Sequence, residues 1–273
     1  MPTIASNGIT LSYEDTGGIG RPVVLIHGWP LSGASWSEQV PALRDAGYRA
    51  ITYDRRGFGE SDKPETGYDY DTFAADLAGL IDGLDLRDAV LVGFSMGGGE
   101  VVRYLAEYGD ARVSAAVLAG AVPPYLLKTD DNPDGGLARS DVDDMVAGAT
   151  SDRAGFLDGF TTTFFSVDGE LVVTEEQRAQ ALELEKAARD EALIGCIEAF
   201  GTTDFRADLG SVSVPTLVIH GDSDAIVPLE VSGQRSAEAI AGSSLVVVEG
   251  GPHGFNVSHA EEFNRALIGF LQA

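Results

Sequence analysis

The sequence predicts a doubly wound, mostly parallel α/β sheet, entered by an antiparallel hairpin and overlaid by a helical insertion. Three observations carry this. Short, continuously apolar runs alternate with stretches of helical periodicity. An Asn7-Gly8 pair joins two alternating segments near the start. The alternation then stops between Val122 and Val212 and resumes beyond.

Ile4–Ser6 and Ile9–Tyr13 are the two arms of the hairpin, because Asn-Gly supplies the positive φ angles that a tight two-residue turn needs. Val23–Ile26, Ala50–Tyr53, Ala89–Val92, Ala115–Leu118, Thr216–Ile219 and Leu245–Val248 are compact apolar runs without alternation. Such runs suit strands covered on both faces, as in a parallel sheet. Phe73–Leu84 and Gly99–Tyr108 carry helical spacing between them, and alternating β and α implies helices on both faces of one sheet. Within 122–212 lie a polar loop, Lys128–Gly136, and helical stretches at Asp141–Ala147, Thr174–Ala188 and Glu191–Phe200. An unstructured loop of that length is implausible. The expectation is a core of 1–121 and 213–273, with 122–212 as a helical cap over the C-terminal sheet edge, where open α/β sheets bind ligands.

Composition narrows the function classes. The chain has 273 residues and is 44% hydrophobic, within reach of one large α/β domain. No run approaches a membrane span. The N-terminus lacks the basic-then-apolar pattern of a signal peptide, and the single cysteine, Cys196, excludes an internal disulfide. Both point to the cytoplasm. Forty-three acidic residues against eighteen basic ones leave a net charge of −25. That surface repels nucleic acid and anionic lipid, so neither is an expected partner. It reflects adaptation to salt or simply solubility, and composition does not choose between them. Homo-oligomers remain compatible with the sequence.

The chemistry sits at Gly93-Phe94-Ser95-Met96-Gly97, where a strand runs through a sharp turn into a helix. This Gly-x-Ser-x-Gly in strand–turn–helix context presents a serine nucleophile. A serine hydroxyl needs a base. His253 follows the last predicted strand on a glycine-rich loop, completing the order Ser…Asp…His. Of the other histidines, His27 is expected to order its loop, His220 to pack at a strand end, and His259 to cap the last helix or face solvent. Past the penultimate strand, Asp222 and Asp224 both offer a carboxylate. Asp222 is better placed to fix its own turn, so Asp224 is assigned to orient the imidazole. The oxyanion hole should combine the N–H of Met96 with that of Trp29, since Pro30 has none. Phe160, Phe164, Phe165 and Phe200 are candidate pocket residues, although core packing is the commoner role of any one phenylalanine.

With these residues in place, the sequence resembles the cofactor-free haloperoxidase, perhydrolase and arylesterase group of the α/β-hydrolase superfamily. The resemblance spans nearly the whole chain. It rests on His27-Gly28-Trp29-Pro30, Tyr53-Asp54-Arg55-Arg56-Gly57-Phe58-Gly59, Gly93–Glu100, Thr203–Leu209 and Pro252-His253-Gly254. It implies an enzyme with neither metal nor cofactor that hydrolyses small carboxylic esters through an acyl-enzyme. It also implies peracid formation from carboxylic acid and hydrogen peroxide, which Pro30 favours because perhydrolytic members share it. Gly251 departs from the alanine common in that group. Similarity of the Tyr53–Leu77 region to γ-lactamases leaves a cyclic amide substrate as an alternative. A C–C bond hydrolase would use the same triad on anionic substrates, which suits the charge poorly. Dehalogenases and epoxide hydrolases require a carboxylate where Ser95 stands. A hydrolase-fold binding protein would not need the intact triad and oxyanion candidates.

Overall fold

The computed structural model describes residues 1–273. The strands are β1 (Thr3–Ser6), β2 (Ile9–Asp15), β3 (Pro22–Ile26), β4 (Arg49–Tyr53), β5 (Ala89–Phe94), β6 (Val113–Ala119), β7 (Ser166–Val167), β8 (Glu170–Leu171), β9 (Thr216–Gly221) and β10 (Ser244–Val248). Eight of them form one sheet in the order β1-β2-β4-β3-β5-β6-β9-β10. β2 pairs antiparallel with β1 and with β4, while every pairing from β4 through β10 is parallel. The doubly wound sheet with its antiparallel entry is therefore the fold.

Alternation along each inner strand explains why the runs are apolar throughout. Val24 and Ile26 point into a layer shared with Phe73, Leu77 and Leu80. Val23 and Leu25 point into the opposite layer, with Trp36, Leu43, Phe263 and Leu267. A strand covered on both sides has no face left for polar residues. The first layer is built on α2 (Tyr70–Gly83) and α3 (Met96–Tyr108), the second on α1 (Gln39–Asp45) and α11 (Ala260–Gln272). α2 starts three residues before the expected Phe73, because the Asp69 side chain accepts the Thr72 N–H and caps it. Leu84 is its C-cap.

β10 departs from expectation. Read as a strand covered on both faces, it is the sheet edge, and Leu245 and Val247 are 37% and 45% exposed. Only β9 pairs with it, and an apolar run does not reveal how many neighbours a strand has.

Between β6 and β9 the chain adds no strand to the main sheet. It forms α4 (Arg139–Ser151), α5 (Arg153–Phe164), the β7–β8 hairpin, α6 (Glu175–Lys186), α7 (Asp190–Thr202) and the short α8 (Arg206–Leu209). α6 opens with a capping box in which Thr174 and Gln177 exchange hydrogen bonds. α5 was not foreseen; its three consecutive threonines disguise a helix whose buried side is Leu157, Thr161 and Phe164. The polar stretch Lys128–Gly136 is pinned by Asn132, whose Nδ2 donates to the carbonyls of Tyr125 and Leu127. Two further helices, α9 (Gly233–Ala239) and α10 (Phe255–Ser258), flank β9 and the histidine loop. No helix is long and apolar enough to cross a membrane.

Candidate active site

β5 ends at Phe94 and α3 begins at Met96, so the whole reversal falls on Ser95. Its φ of 54° and ψ of −119° lie where a residue with a Cβ is strained, at a cost of about 1–3 kcal/mol. The turn closes only over glycine. A Cβ on Gly93 would stand 2.4 Å from the Gly97 carbonyl oxygen, and one on Gly97 would stand 2.5 Å from that of Ile26. Hydrogen bonds hold the strained residue in place: Ser95 N–H donates to Ala119 O at 2.8 Å, and Ser95 O accepts from Gly98 N.

The structure brings Ser95, His253 and Asp224 together from three parts of the chain. His253 Nε2 is 2.9 Å from Ser95 Oγ, and Nδ1 is 2.6 Å from Asp224 Oδ2. The imidazole sits between the rings of Phe94 and Phe164, each with its centroid 5.2 Å away. Its loop is tied to the end of α5 by Gly254 N–H donating to Phe164 O at 2.8 Å. Gly251 is tightly enclosed, since a Cβ there would lie 3.1 Å from Gly221 Cα and Val248 O.

Asp224 is buried, with Oδ1 accepting the N–H groups of Ile226 and Val227 at 2.9 and 2.8 Å. Burial by itself would raise its pKa, but His253 and His220 outweigh it and hold the carboxyl below the ordinary aspartate value. Asp222 is exposed and takes no part in this contact. It makes no bond to the backbone of its own turn; its Oδ1 accepts the Ser223 hydroxyl at 3.2 Å and the Gly250 N–H at 2.7 Å, and so ties the β9 and β10 loops together.

His220 does more than pack. Its Nε2 lies 2.8 Å from Val227 O and 3.5 Å from Asp224 Oδ2, so it stands behind the carboxylate. His259 does not cap α11 through its side chain, which meets Ser258 Oγ at 2.9 Å instead.

The loop opposite the elbow carries Trp29. As the first residue of α3, Met96 has no intrahelical acceptor for its N–H. The Trp29 N–H is also unpaired, and both residues are buried. The Trp29 indole donates to Leu193 O at 3.1 Å and packs against Phe160 and Phe200.

His27 orders this loop: Arg55 N–H donates to its Nε2 at 3.0 Å, so its Nδ1–H donates to Gly28 O at 2.8 Å. Burial, reinforced by Arg55, pushes its pKa well below the usual histidine value and keeps the ring neutral. Behind it Arg55 donates to His27 O at 2.8 Å and to Glu100 Oε2 at 2.8 Å, and Glu100 also accepts from the Tyr53 hydroxyl. This fully buried pair ties the Trp29 loop to the helix that follows Ser95. The sequence reading gave Arg55 and Glu100 no role. A carboxylate among the glycines and valines of α3, facing an arginine in a strand-end motif, was the available signal.

Beside Ser95 lies a small cavity of about 40 Å³. Its walls are Trp29, Val122, Leu126, Leu137, Met145, Phe160, Phe200, Ile226 and Val227. Of the candidate pocket residues, Phe160 and Phe200 are here. Phe164 and Phe165 are not: they line a separate cleft of about 350 Å³ between α6 and the Gly33–Trp36 turn, and Phe164 also packs on His253. Pro30 is buried outside the cavity wall. Phe160 and Phe164 stand one turn apart on the same face of α5, their centroids 5.9 Å apart, so Phe160 meets the cavity while Phe164 sits a turn further on against His253.

A strained nucleophile elbow at the carboxyl end of a parallel sheet, with an imidazole and a carboxylate in line behind it, defines a class of hydrolytic enzymes. Residues 21–260 match the alpha/beta hydrolase fold family, and the chain belongs to it. The chain is similar to a bromoperoxidase from Bacillus anthracis, with a TM-score of 0.97 and 51% identity over 100% of this chain and 99% of that one. It is 44% identical to a non-heme chloroperoxidase of Kitasatospora aureofaciens, covering 97% of each. It is 37% identical to a bifunctional esterase/perhydrolase of Acinetobacter calcoaceticus, covering 98% of each.

Proposed function

We propose that the chain is a carboxylesterase that works through an acyl-enzyme on Ser95, and that hydrogen peroxide also cleaves this intermediate to give a peracid. The observation that carries the reading is the in-line arrangement of Ser95 Oγ, His253 and Asp224 at 2.9 and 2.6 Å. The names of the relatives point the same way.

Ser95 Oγ attacks the ester carbonyl while its proton passes to His253 Nε2. Asp224 holds the ring so that Nδ1 keeps its proton, and its charge stabilises the imidazolium. The oxyanion receives the N–H groups of Trp29 and Met96, with the positive end of α3 behind the latter. His253 then protonates the leaving alcohol. Water, or peroxide, attacks the acyl-enzyme with His253 again acting as base.

The cavity argues for a short, uncharged acyl group, because it is small and nine of its ten lining residues are hydrophobic. That disfavours the anionic substrates of C–C bond hydrolases. Segment 122–212 would serve as the cap, since it supplies Leu126, Leu137, Met145, Phe160 and Phe200 to the wall. The lone, buried Cys196 fits a reducing compartment, here the cytoplasm.

The test is hydrolysis of p-nitrophenyl acetate together with fluorophosphonate labelling. Ser95→Ala and His253→Ala should each lose several orders of magnitude in kcat, and Ser95→Ala should lose the label. Hydrolysis by Ser95→Ala within tenfold of the parent would end the reading.

A further inference from the structure

Met145 is the one sulfur-bearing residue in the wall of the cavity that holds Ser95. It lies on α4, half-buried, among Val122, Leu126, Leu137 and Phe160. The chain has two other methionines, Met1 and Met96. Met1 is 60% exposed, whereas Met96 is 1% exposed and stands outside the cavity wall. Thioethers and thiols are the side chains that a peracid oxidises under mild conditions; the one thiol, Cys196, is fully buried outside the cavity wall, and a thioether faces the place where a peracid would form.

We infer that Met145 is the site at which the enzyme oxidises itself during peracid formation. The inference rests on the perhydrolysis proposed above. Peroxide attacks the acyl-enzyme carbonyl, its proton passes through His253 to Ser95 Oγ, and the peracid RC(O)OOH is released into the cavity. The Met145 sulfur lone pair then attacks the terminal peroxy oxygen. The O–O bond breaks, the carboxylate leaves with the proton of the former peroxy hydroxyl, and the products are RCOOH and methionine sulfoxide. Sulfur loses two electrons and the peroxy oxygens gain them, so no further oxidant is needed.

The consequence is local. A sulfoxide places a strong acceptor in a wall with no hydrogen-bond donor side chain beyond Ser95, since the Trp29 indole N–H is already committed to Leu193 O. Burying an unpaired polar group there is costly, so the wall would rearrange around residue 145 and the acyl pocket would lose its shape. Turnover with peroxide therefore has a built-in limit that turnover with water lacks.

Met1 is the internal standard for oxidant in bulk solution. The whole chain is incubated with hydrogen peroxide and acetate, peracid is titrated in the medium, and sulfoxide is measured at each methionine by peptide mass. Parallel samples omit acetate or use Ser95→Ala. With the active enzyme and both reagents, Met145 should acquire oxygen at least about tenfold faster than Met1, because the oxidant is generated beside it. In the other two samples Met1 should lead. Esterase activity should decay with Met145 sulfoxide, and Met145→Leu should slow that decay relative to its own starting rate. If peracid accumulates while Met145 lags Met1, or oxidises equally in Ser95→Ala, the inference is overturned and perhydrolysis stands. If no peracid forms with acetate and Met145 stays reduced, perhydrolysis itself fails and takes the inference with it.

Discussion

Replacing Asp224 by asparagine should reduce kcat for p-nitrophenyl acetate by about 10⁴-fold, close to 5.5 kcal/mol of barrier, with little change in KM. The geometry sets the direction. Asp224 Oδ1 accepts two backbone N–H groups, from Ile226 and Val227, while Oδ2 faces His253 Nδ1. An asparagine must keep its oxygen on the two amides, since an NH₂ group cannot accept them. Its nitrogen is then turned toward His253 Nδ1. That forces Nδ1 to accept and moves the ring proton to Nε2, 2.9 Å from Ser95 Oγ. On the proposed mechanism, the imidazole would then donate to Ser95 Oγ when it has to take the proton from it. KM should hold because Asp224 is absent from the cavity wall. The assay is steady-state hydrolysis, with thermal midpoint measured alongside to show that the fold survives. A loss smaller than tenfold, or a larger loss in Asp222→Asn, would refute the assignment of the carboxylate and the tautomer argument together.

Glu185 is buried on α6 with one oxygen bonded to Thr161 and the other unpartnered, and burial pushes its pKa up to about 8. The unfolded chain releases this proton near pH 4.5, so stability should fall as pH rises from there to about 8. Glu185→Gln should remove most of that slope and, at about 1.4 kcal/mol per pH unit, be more stable than the parent at pH 8 by a few kcal/mol in urea unfolding; an unchanged slope would count against a neutral buried carboxyl. Glu100→Ala leaves Arg55 buried without its partner, and should cost about 3–5 kcal/mol in the same experiment and lower kcat by loosening the His27–Trp29 loop. A loss below 1 kcal/mol would show that the pair adds little. Pro30→Leu should lower peracid formation relative to ester hydrolysis by about three- to tenfold, the worth of one hydrogen bond to the unpaired Trp29 carbonyl; parallel changes in both rates would reduce Pro30 to a loop constraint. With a net charge of −25, the thermal midpoint should climb from low salt to molar KCl as self-repulsion is screened. A flat response would leave solubility as the reason for the acidic surface.

Much of this protein is written locally. The inner strands show as apolar runs because both faces are covered, and Asn7-Gly8 marks its hairpin because few other pairs accept that turn. The elbow is readable because its glycines answer to contacts within one short turn and the strand beside it. Ser95, Asp224 and His253, which the structure brings together, each sit just past a recognisable strand or in a recognisable turn and so were legible as candidates.

What tertiary structure alone decided are the matters of juxtaposition. β10 is an edge because nothing pairs beyond it, and no pattern within the strand encodes a missing neighbour. His220 stands behind Asp224, rather than merely packing, because the loop after β9 folds back on its own strand. Arg55 and Glu100 meet across 45 residues of chain. Phe160 and Phe200 reach the cavity while Phe164 and Phe165 line another cleft, because where α5 ends against the His253 loop sets what each side chain along it meets. Periodicity states that a helix has a buried face; only the packed chain determines what that face is buried against.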